Sequence, residues 1–384
     1  MRNRNVQIGL LTYSTKLRGS VVHTLELAEA LHQLGHDVTV YALDKDGKGF
    51  DRPLSCRQCL VPAAPAPASL DALIQQRIQE FVVALEQDLG SDVLDIYHAQ
   101  DCISANALGI LRQRQLIPHF VRTVHHIEDY SSPYLQQCQD RSIREADLCL
   151  CVSQEWQGEL QRQYQIEAPR VYNGVNLTRF TAEVDGFESE VRQQYGLHGS
   201  PLYLTVGGIE PRKNSIALIQ AFAQVLPHHP QAQLAIAGGS TLFDYHSYRD
   251  EFFATVQTLG IPDHSLIVTG VIPDPLLPAL YRAADAFVFP SVKEGWGLVV
   301  LEAIASDLPV ITSNQPPFIE FLSSEQALLV DPHVPQAIAQ AMLTVIQPEI
   351  GRSLVQQSQS VLSTYTWSAS AQLHLQHYAQ LLKG

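Results

Sequence analysis

Apolar and polar positions along this chain alternate in the blocks that βαβ units produce. Residues 6–12 form a short apolar run that predicts a strand, and Val22, Leu25, Ala28, Leu31 and Leu34 then recur at helical spacing until Gly35 stops the helix. Residues 37–43 return to a strand pattern. A Pro/Ala connection at 62–67 leads into a long amphipathic helix over 69–89, and strands are predicted at 93–98, 119–125 and 148–152 with helices between them. The polar stretch 181–200 carries no such pattern and reads as an interdomain connection. The alternation then restarts: strands at 202–206, 233–237, 266–269, 286–289 and 309–312, and helices at 215–226 and 298–305. Trp367, Ala371, Leu375, Tyr378 and Leu382 mark one oily stripe on a last helix. Strands and helices at this spacing predict an α/β chain with parallel sheets.

Length divides the pattern in two. At 384 residues the chain exceeds the roughly 250 to 300 at which a single core stops growing. The hydrophobic share of 46% is that of an ordinary globular protein. No apolar run reaches the roughly 18 residues that span a bilayer, and residues 6–13 are too short and polar for a secretory signal, so a cytoplasmic protein is expected. Lys plus Arg number 25 against 39 Asp plus Glu, which argues against nucleic acid as a partner and gives no support to a peripheral membrane contact. An anionic ligand would need a local basic site. The six cysteines contain one isolated Cys56-x-x-Cys59 and read as reduced thiols.

Two common chemistries find little purchase. The first strand-to-helix turn holds Lys16, Arg18, Gly19 and Ser20, without the Gly-x-Gly-x-x-Gly of a dinucleotide site, so no nicotinamide cofactor is expected. Asp44-Lys45-Asp46 has the spacing of a metal-diphosphate motif, but it lies in a polar Gly-rich turn where aspartates are ordinarily solvated, and no metal is expected.

The stretch from Phe289 to Ala303 is different. A buried strand runs into Pro290-Ser291-Val292-Lys293-Glu294-Gly295-Trp296-Gly297, then into a helix apolar on every side except at Glu302. A helix apolar all round is normally buried, and a carboxylate there needs donors. Gly295 and Gly297 let the backbone approach a ligand, and the first N–H groups of the helix, at Leu298 and Val299, favour an anion. An anion cradle with two acceptor carboxylates suits a phosphate flanked by sugar hydroxyls, as in a nucleotide sugar. The alternative is a surface loop with both glutamates solvated. Upstream, Gly207-Gly208-Ile209-Glu210-Pro211-Arg212-Lys213-Asn214 places a guanidinium fork and a point charge behind a glycine pair, which suits a diphosphate or, alternatively, water. His98 with Asp101, and His125 with His126, Glu128 and Asp129, stand at predicted strand ends, where open α/β sheets bind ligands. A surface histidine is the alternative at each.

Glu294-x7-Glu302 within Glu-Gly-Trp-Gly-Leu and Leu-Glu-Ala resembles the signature of retaining glycosyltransferases of the GT-B type, the glycosyl transferases group 1 that includes sucrose-synthase-like and glycogen-synthase-like enzymes. Arg122-Thr-Val-His125 resembles that family's strand-end histidine, Ser153 also fits, and Tyr172-Asn-Gly174-Val-Asn176 with Phe180 resembles its Asn-Gly-Val-Asp turn, here with Asn176 for aspartate. Gly174 is expected to supply positive φ there. The Arg212-Lys213 segment resembles the family's phosphate-binding segment, with Gly207-Gly208 replacing the more frequent Gly-Arg.

The resemblance implies two Rossmann-like doubly wound domains facing a cleft: an acceptor domain at 1–174, a donor domain at 175–365 and a helix at 366–384 that returns to the first domain. It implies metal-independent, cofactor-free transfer of a hexosyl unit from a UDP- or GDP-type donor to an acceptor hydroxyl on a sugar, lipid or small molecule, in glycan biosynthesis. Catalytic roles fall to His125, Glu294, Arg212 and Lys213. Substrate binding falls again to Arg212, Lys213 and Glu294, together with Gly19, Gly207, Gly208, Gly295, Trp296, Gly297, Leu298, Val299 and Glu302. A nucleotide-sugar epimerase and a non-catalytic nucleotide-sugar-binding module are the alternatives.

Overall fold

The computed structural model describes residues 5–89, 93–239 and 245–383. The chain divides into two compact units, one running to Gly174 and taking up the stretch from Trp367 onward, the other Val175–Thr366.

In the first unit the strands are β1 (Gln7–Thr12), β2 (Asp37–Asp44), β3 (Arg57–Pro62), β4 (Ile96–Ala99), β5 (Val121–Val124) and β6 (Leu148–Cys151). The helices between them are α1 (Gly19–Gln33), α2 (Leu70–Asp88), α3 (Cys102–Gln113), α4 (Pro133–Arg144) and α5 (Gln154–Tyr164). The second unit holds α6 (Phe187–Tyr195), β7 (Leu202–Val206), α7 (Ser215–Val225), β8 (Gln233–Ala237), α8 (His246–Thr258), β9 (Leu266–Gly270), α9 (Leu277–Ala283), β10 (Ala286–Phe289), α10 (Leu298–Ala305), β11 (Val310–Ser313), β12 (Leu328–Val330), α11 (Pro335–Val345) and α12 (Pro348–Leu362). The last helix, α13 (Trp367–Leu381), belongs to the first unit.

Each unit is built on one six-stranded parallel sheet, ordered β3-β2-β1-β4-β5-β6 in the first and β12-β11-β10-β7-β8-β9 in the second. Helices cover the faces, so the central strands are buried end to end, as β8 and β10 are. In both sheets the chain builds outward one way and then crosses to build the other way, reversing between β1 and β4 and between β7 and β10. Ligands in open α/β sheets bind beyond the strand C-termini at such a reversal.

Several expectations need correction. The stretch 181–200 is not an unstructured connection: α6 lies within it, entered through Gly186 at φ 91° and left through Gly196 at φ 68°. Only Val191 of that helix is buried, so no apolar stripe betrays it. It is held by charge instead, since Arg282 pairs with Asp185 at 2.6 Å and with Glu188 at 2.5 Å. Strand β3, unpredicted, is an edge strand in which Val61 alone is buried and most residues are exposed, so its apolar stretch is too short to stand out. Gly174 is not among the glycines of positive φ. The turn lies later, where Asn176 Oδ1 accepts from the Thr178 N–H and hydroxyl and the Phe180 N–H closes on the Asn176 carbonyl. On α13, Leu382 lies just past the helix and is 41% exposed, while the inward face is completed by Ser370 and His374 beside Trp367, Ala371 and Tyr378. A hydrophobicity stripe cannot show that a histidine and a serine share a core face.

Candidate functional site

The loops after β7 and β10, adjacent central strands of the second unit, meet through charge. Glu294 is 8% exposed, and its Oε1 accepts from Lys213 Nζ at 2.5 Å, from Ser291 Oγ at 3.0 Å and from Arg212 Nη1 at 3.1 Å. Burial alone would raise this carboxyl, but the Lys213 and Arg212 charges with the Lys213 and Ser291 hydrogen bonds outweigh it and hold Glu294 below the usual range, ionised. Arg212 also donates through Nε to Glu210 Oε2 at 3.0 Å. The Lys213 ammonium sits 4.4 Å from the centre of the Phe289 ring.

Backbone contacts lock the two loops in register. The Arg212 carbonyl accepts from the Val292 N–H at 2.9 Å and from Ser291 Oγ at 2.6 Å, and Asn214, left-handed at φ 60°, donates through Nδ2 to the Pro290 and Pro332 carbonyls. The glycine pair has a steric reason. A Cβ on Gly208 would lie 2.6 Å from the Gly239 carbonyl oxygen, and one on Gly238 would lie 2.6 Å from Gly207 backbone atoms, so the ends of β7 and β8 approach as only glycine permits. The Gly-Arg pair of the resemblance would not fit this approach.

Gly297 opens α10 at φ 101°, and a Cβ there would strike the Phe318 ring at 2.7 Å. Gly297, as N-cap, has no side chain to accept from the first N–H groups of the helix, at half-buried Leu298 and Val299, which follow Glu294 closely along the chain. Glu302, one turn inside and 8% exposed, accepts from the Tyr281 hydroxyl at 2.8 Å. Trp296 differs from what was expected of a ligand contact: its ring is 3% exposed, stacked 4.9 Å from Phe321 and tilted 5.3 Å from Tyr365, leaving its backbone for the loop.

In the first unit, His125 follows β5 half-buried, with its Nε2 3.0 Å from Gln100 Oε1. His98 is not a surface residue but lies fully buried inside β4. His126 is exposed and paired with Glu128 at 2.6 Å. Ser153 is the N-cap of α5, accepting from the Trp156 N–H. Gly19, the first residue of α1, is exposed with open space around it. Asp44 accepts from the Gly47 and Gly49 N–H groups and Asp46 pairs with Lys16 at 2.5 Å, so both carboxylates organise their own loop. Sequence reasoning missed Glu210, Ser291 and Tyr281, whose roles depend on partners between 2 and 79 positions away.

Comparisons with known proteins bear on the family and the fold. Residues 187–359 match the family described as glycosyl transferases group 1, and residues 17–179 match glycosyltransferase family 4. An O-antigen chain mannosyltransferase B of Escherichia coli is 29% identical over 246 residues, covering 61% of this chain and 63% of that enzyme, just under two thirds of its length. The sucrose-phosphate synthase of Thermosynechococcus elongatus superposes with a TM-score of 0.81 at 25% identity, covering 98% of this chain and 99% of that one. HepE of Anabaena, solved with UDP-glucose, shares the fold with a TM-score of 0.79 at 20% identity, covering 99% and 100% of the two chains. Among the described residues no helix is long and apolar enough to cross a membrane.

Proposed function

The chain belongs to the glycosyl transferases group 1 of GT-B fold, and from that premise we propose that it moves a hexosyl unit from a nucleoside diphosphate sugar to an acceptor hydroxyl, with retention of configuration and without a metal ion. The observation that carries the reading is the cluster of Arg212, Lys213 and Glu294 beside the uncapped start of α10, at the chain reversal of the second sheet. Breaking the anomeric C–O bond leaves the electron pair on a phosphate oxygen and positive character on the sugar. Arg212, Lys213 and the first N–H groups of α10 stabilise the departing diphosphate. Glu294 holds sugar hydroxyls, Glu302 with Tyr281 behind it holds the ribose, and His125 contacts the reacting sugar. The acceptor hydroxyl attacks the face the diphosphate leaves, and its proton passes to the departing phosphate oxygen, which gives retention without a protein nucleophile.

UDP-glucose, the molecule bound by HepE, is the first donor to test, followed by GDP-, ADP- and dTDP-sugars in a thermal-shift panel. A donor at about 100 times its dissociation constant adds roughly 2.7 kcal/mol of stability, a readily visible shift. Acceptor-dependent release of nucleoside diphosphate supports transfer; a donor converted to its epimer with no release would overturn it. Both matching families are glycosyltransferases, so epimerisation is not favoured.

Arg212→Ala and Lys213→Ala are each expected to weaken nucleoside diphosphate binding by roughly ten- to a hundredfold, the loss of one charge-assisted contact, while free nucleoside binds nearly as before. Equal losses for nucleoside and diphosphate in titration calorimetry would place the phosphates elsewhere. Turnover is expected to survive EDTA, since side chains and helix N–H groups supply the positive field. Activity lost on chelation and restored by a divalent cation would refute that.

A further inference from the structure

We infer that Gln100, His98 and Tyr378 form a hydrogen-bonded chain that fixes which ring nitrogen of His125 carries its proton, so that the C-terminal helix α13 acts as a positioning element for that histidine. The inference rests on the assignment of His125 to the reacting sugar.

All four residues belong to the first unit. Strands β4 and β5 are parallel neighbours with His98 opposite Val121 and Ala99 opposite Arg122, so the chain leaving β4 at Gln100 runs beside the end of β5, which His125 follows. Gln100 is 1% exposed and bridges the two histidines: its Oε1 lies 3.0 Å from His125 Nε2 and its Nε2 lies 3.2 Å from His98 Nε2. An amide oxygen only accepts and an amide nitrogen only donates. His125 Nε2 therefore bears hydrogen, and His98 Nε2 is bare, also accepting from the Thr123 hydroxyl at 2.7 Å. The His98 proton is then on Nδ1, which donates to the Tyr378 hydroxyl oxygen at 2.6 Å. Tyr378, 1% exposed, is thus the far end of a chain that crosses 280 positions of sequence and ends on a ring the reaction needs.

The surroundings hold the rings neutral and still. Burial drives both His98 and His125 well below the ordinary imidazole range, so each has one proton to place. His23 stands edge-on to His125 at 4.7 Å and is itself anchored through Nδ1 to Asn173 Oδ1 at 2.9 Å, which blocks a ring turn. With Nε2–H committed to Gln100, the remaining nitrogen of His125, Nδ1, offers a lone pair, and a half-exposed acceptor nitrogen suits a sugar hydroxyl that donates. Turning the Gln100 amide over would reverse every member of the chain and present a proton instead.

The test uses the full-length protein with ring-15N-labelled histidine, whose nitrogen shifts distinguish the two neutral tautomers, with the His125 signals assigned by their loss in His125→Ala. Wild type is expected to show His125 protonated on Nε2. Gln100→Leu removes the bridge, and Tyr378→Phe, a conservative change, removes only the acceptor for His98 Nδ1–H. Each is expected to shift His125 toward the Nδ1–H form and to lower turnover by roughly tenfold, the scale of one neutral hydrogen bond, with nucleoside diphosphate affinity unchanged. A wild-type tautomer in both variants overturns the inference whatever the kinetics. If instead His125→Ala turns over like wild type while the tautomers shift as expected, the chain stands and the assignment of His125 to the sugar falls.

Discussion

Glu294→Gln is expected to lower turnover by about a hundredfold or more while nucleoside diphosphate binds as tightly as before or more tightly. The Glu294 carboxylate lies against the two cations assigned to the diphosphate, in contact with Lys213 Nζ at 2.5 Å and Arg212 Nη1 at 3.1 Å. A diphosphate must compete with it for those donors, and the carboxylate that yields them becomes available to sugar hydroxyls. Glutamine keeps the shape but not the charge, so it competes less for Lys213 and Arg212. It also withdraws a negative charge from beside a sugar that becomes positive as the C–O bond breaks, and an interaction stronger in the transition state than in the ground state shows in turnover. A lower melting temperature should accompany the change, because Lys213, with 13% of its side chain exposed, loses a close countercharge. Calorimetry with the diphosphate and steady-state rates decide the matter. Diphosphate affinity reduced tenfold with turnover intact would reverse the roles of the carboxylate and the cations.

The first unit is expected to lose stability steeply as pH falls below about 6.5. His23, His98 and His374 are fully buried, and burial holds His23 at about 4, His374 at about 3 and His98 well below the ordinary value. Their rings crowd together, His374 lying 5.9 Å from His23 and 5.7 Å from His98, so a charge on one opposes a charge on the next. The native state keeps all three neutral, whereas the unfolded chain protonates them near pH 6.5. Between about pH 6.5 and 4 the unfolded state therefore binds more protons, and stability rises with pH across that window and is lost as pH falls through it. Each histidine contributes about 1.4 kcal/mol per pH unit there, so three contribute roughly 4 kcal/mol per unit, a large share of an ordinary domain's stability. Denaturant unfolding at pH 7.5, 6.5 and 5.5 checks this, and His374→Gln should lower the slope by one histidine's share, about 1.4 kcal/mol per pH unit. A midpoint that does not move between pH 7.5 and 5.5 would mean the cluster is not neutral in the native state.

Much of the fold was legible because its signals are local. Buried parallel strands are short apolar runs and surface helices carry a stripe, so β7, β8, β10 and α10 are written in consecutive residues, and Leu298–Ala305 was predicted to its ends. Elements held by something other than an apolar face left no such trace. Helix α6 is fastened by Asp185 and Glu188 to Arg282 some 94 positions later, and β3 is paired on one side only.

The candidate site divides along the same line. By itself the sequence determined which residue types stand where the proposed chemistry would use them, because a Gly-rich turn between strand and helix, a basic pair and two carboxylates are set by residue type and spacing. What only the tertiary structure decided is which of them face one another. Glu294 meets Lys213 across 81 positions because β7 and β10, the first and fourth strands of the second unit along the chain, lie side by side in its sheet, which neither spacing nor hydropathy shows. His98, ambiguous in the sequence, is taken out of solvent by α13 and given Tyr378 as a partner. Hydrophobic periodicity reports the face an element buries, but it carries no information about which distant element covers that face, and hydrogen bonds between side chains form only after that choice is made.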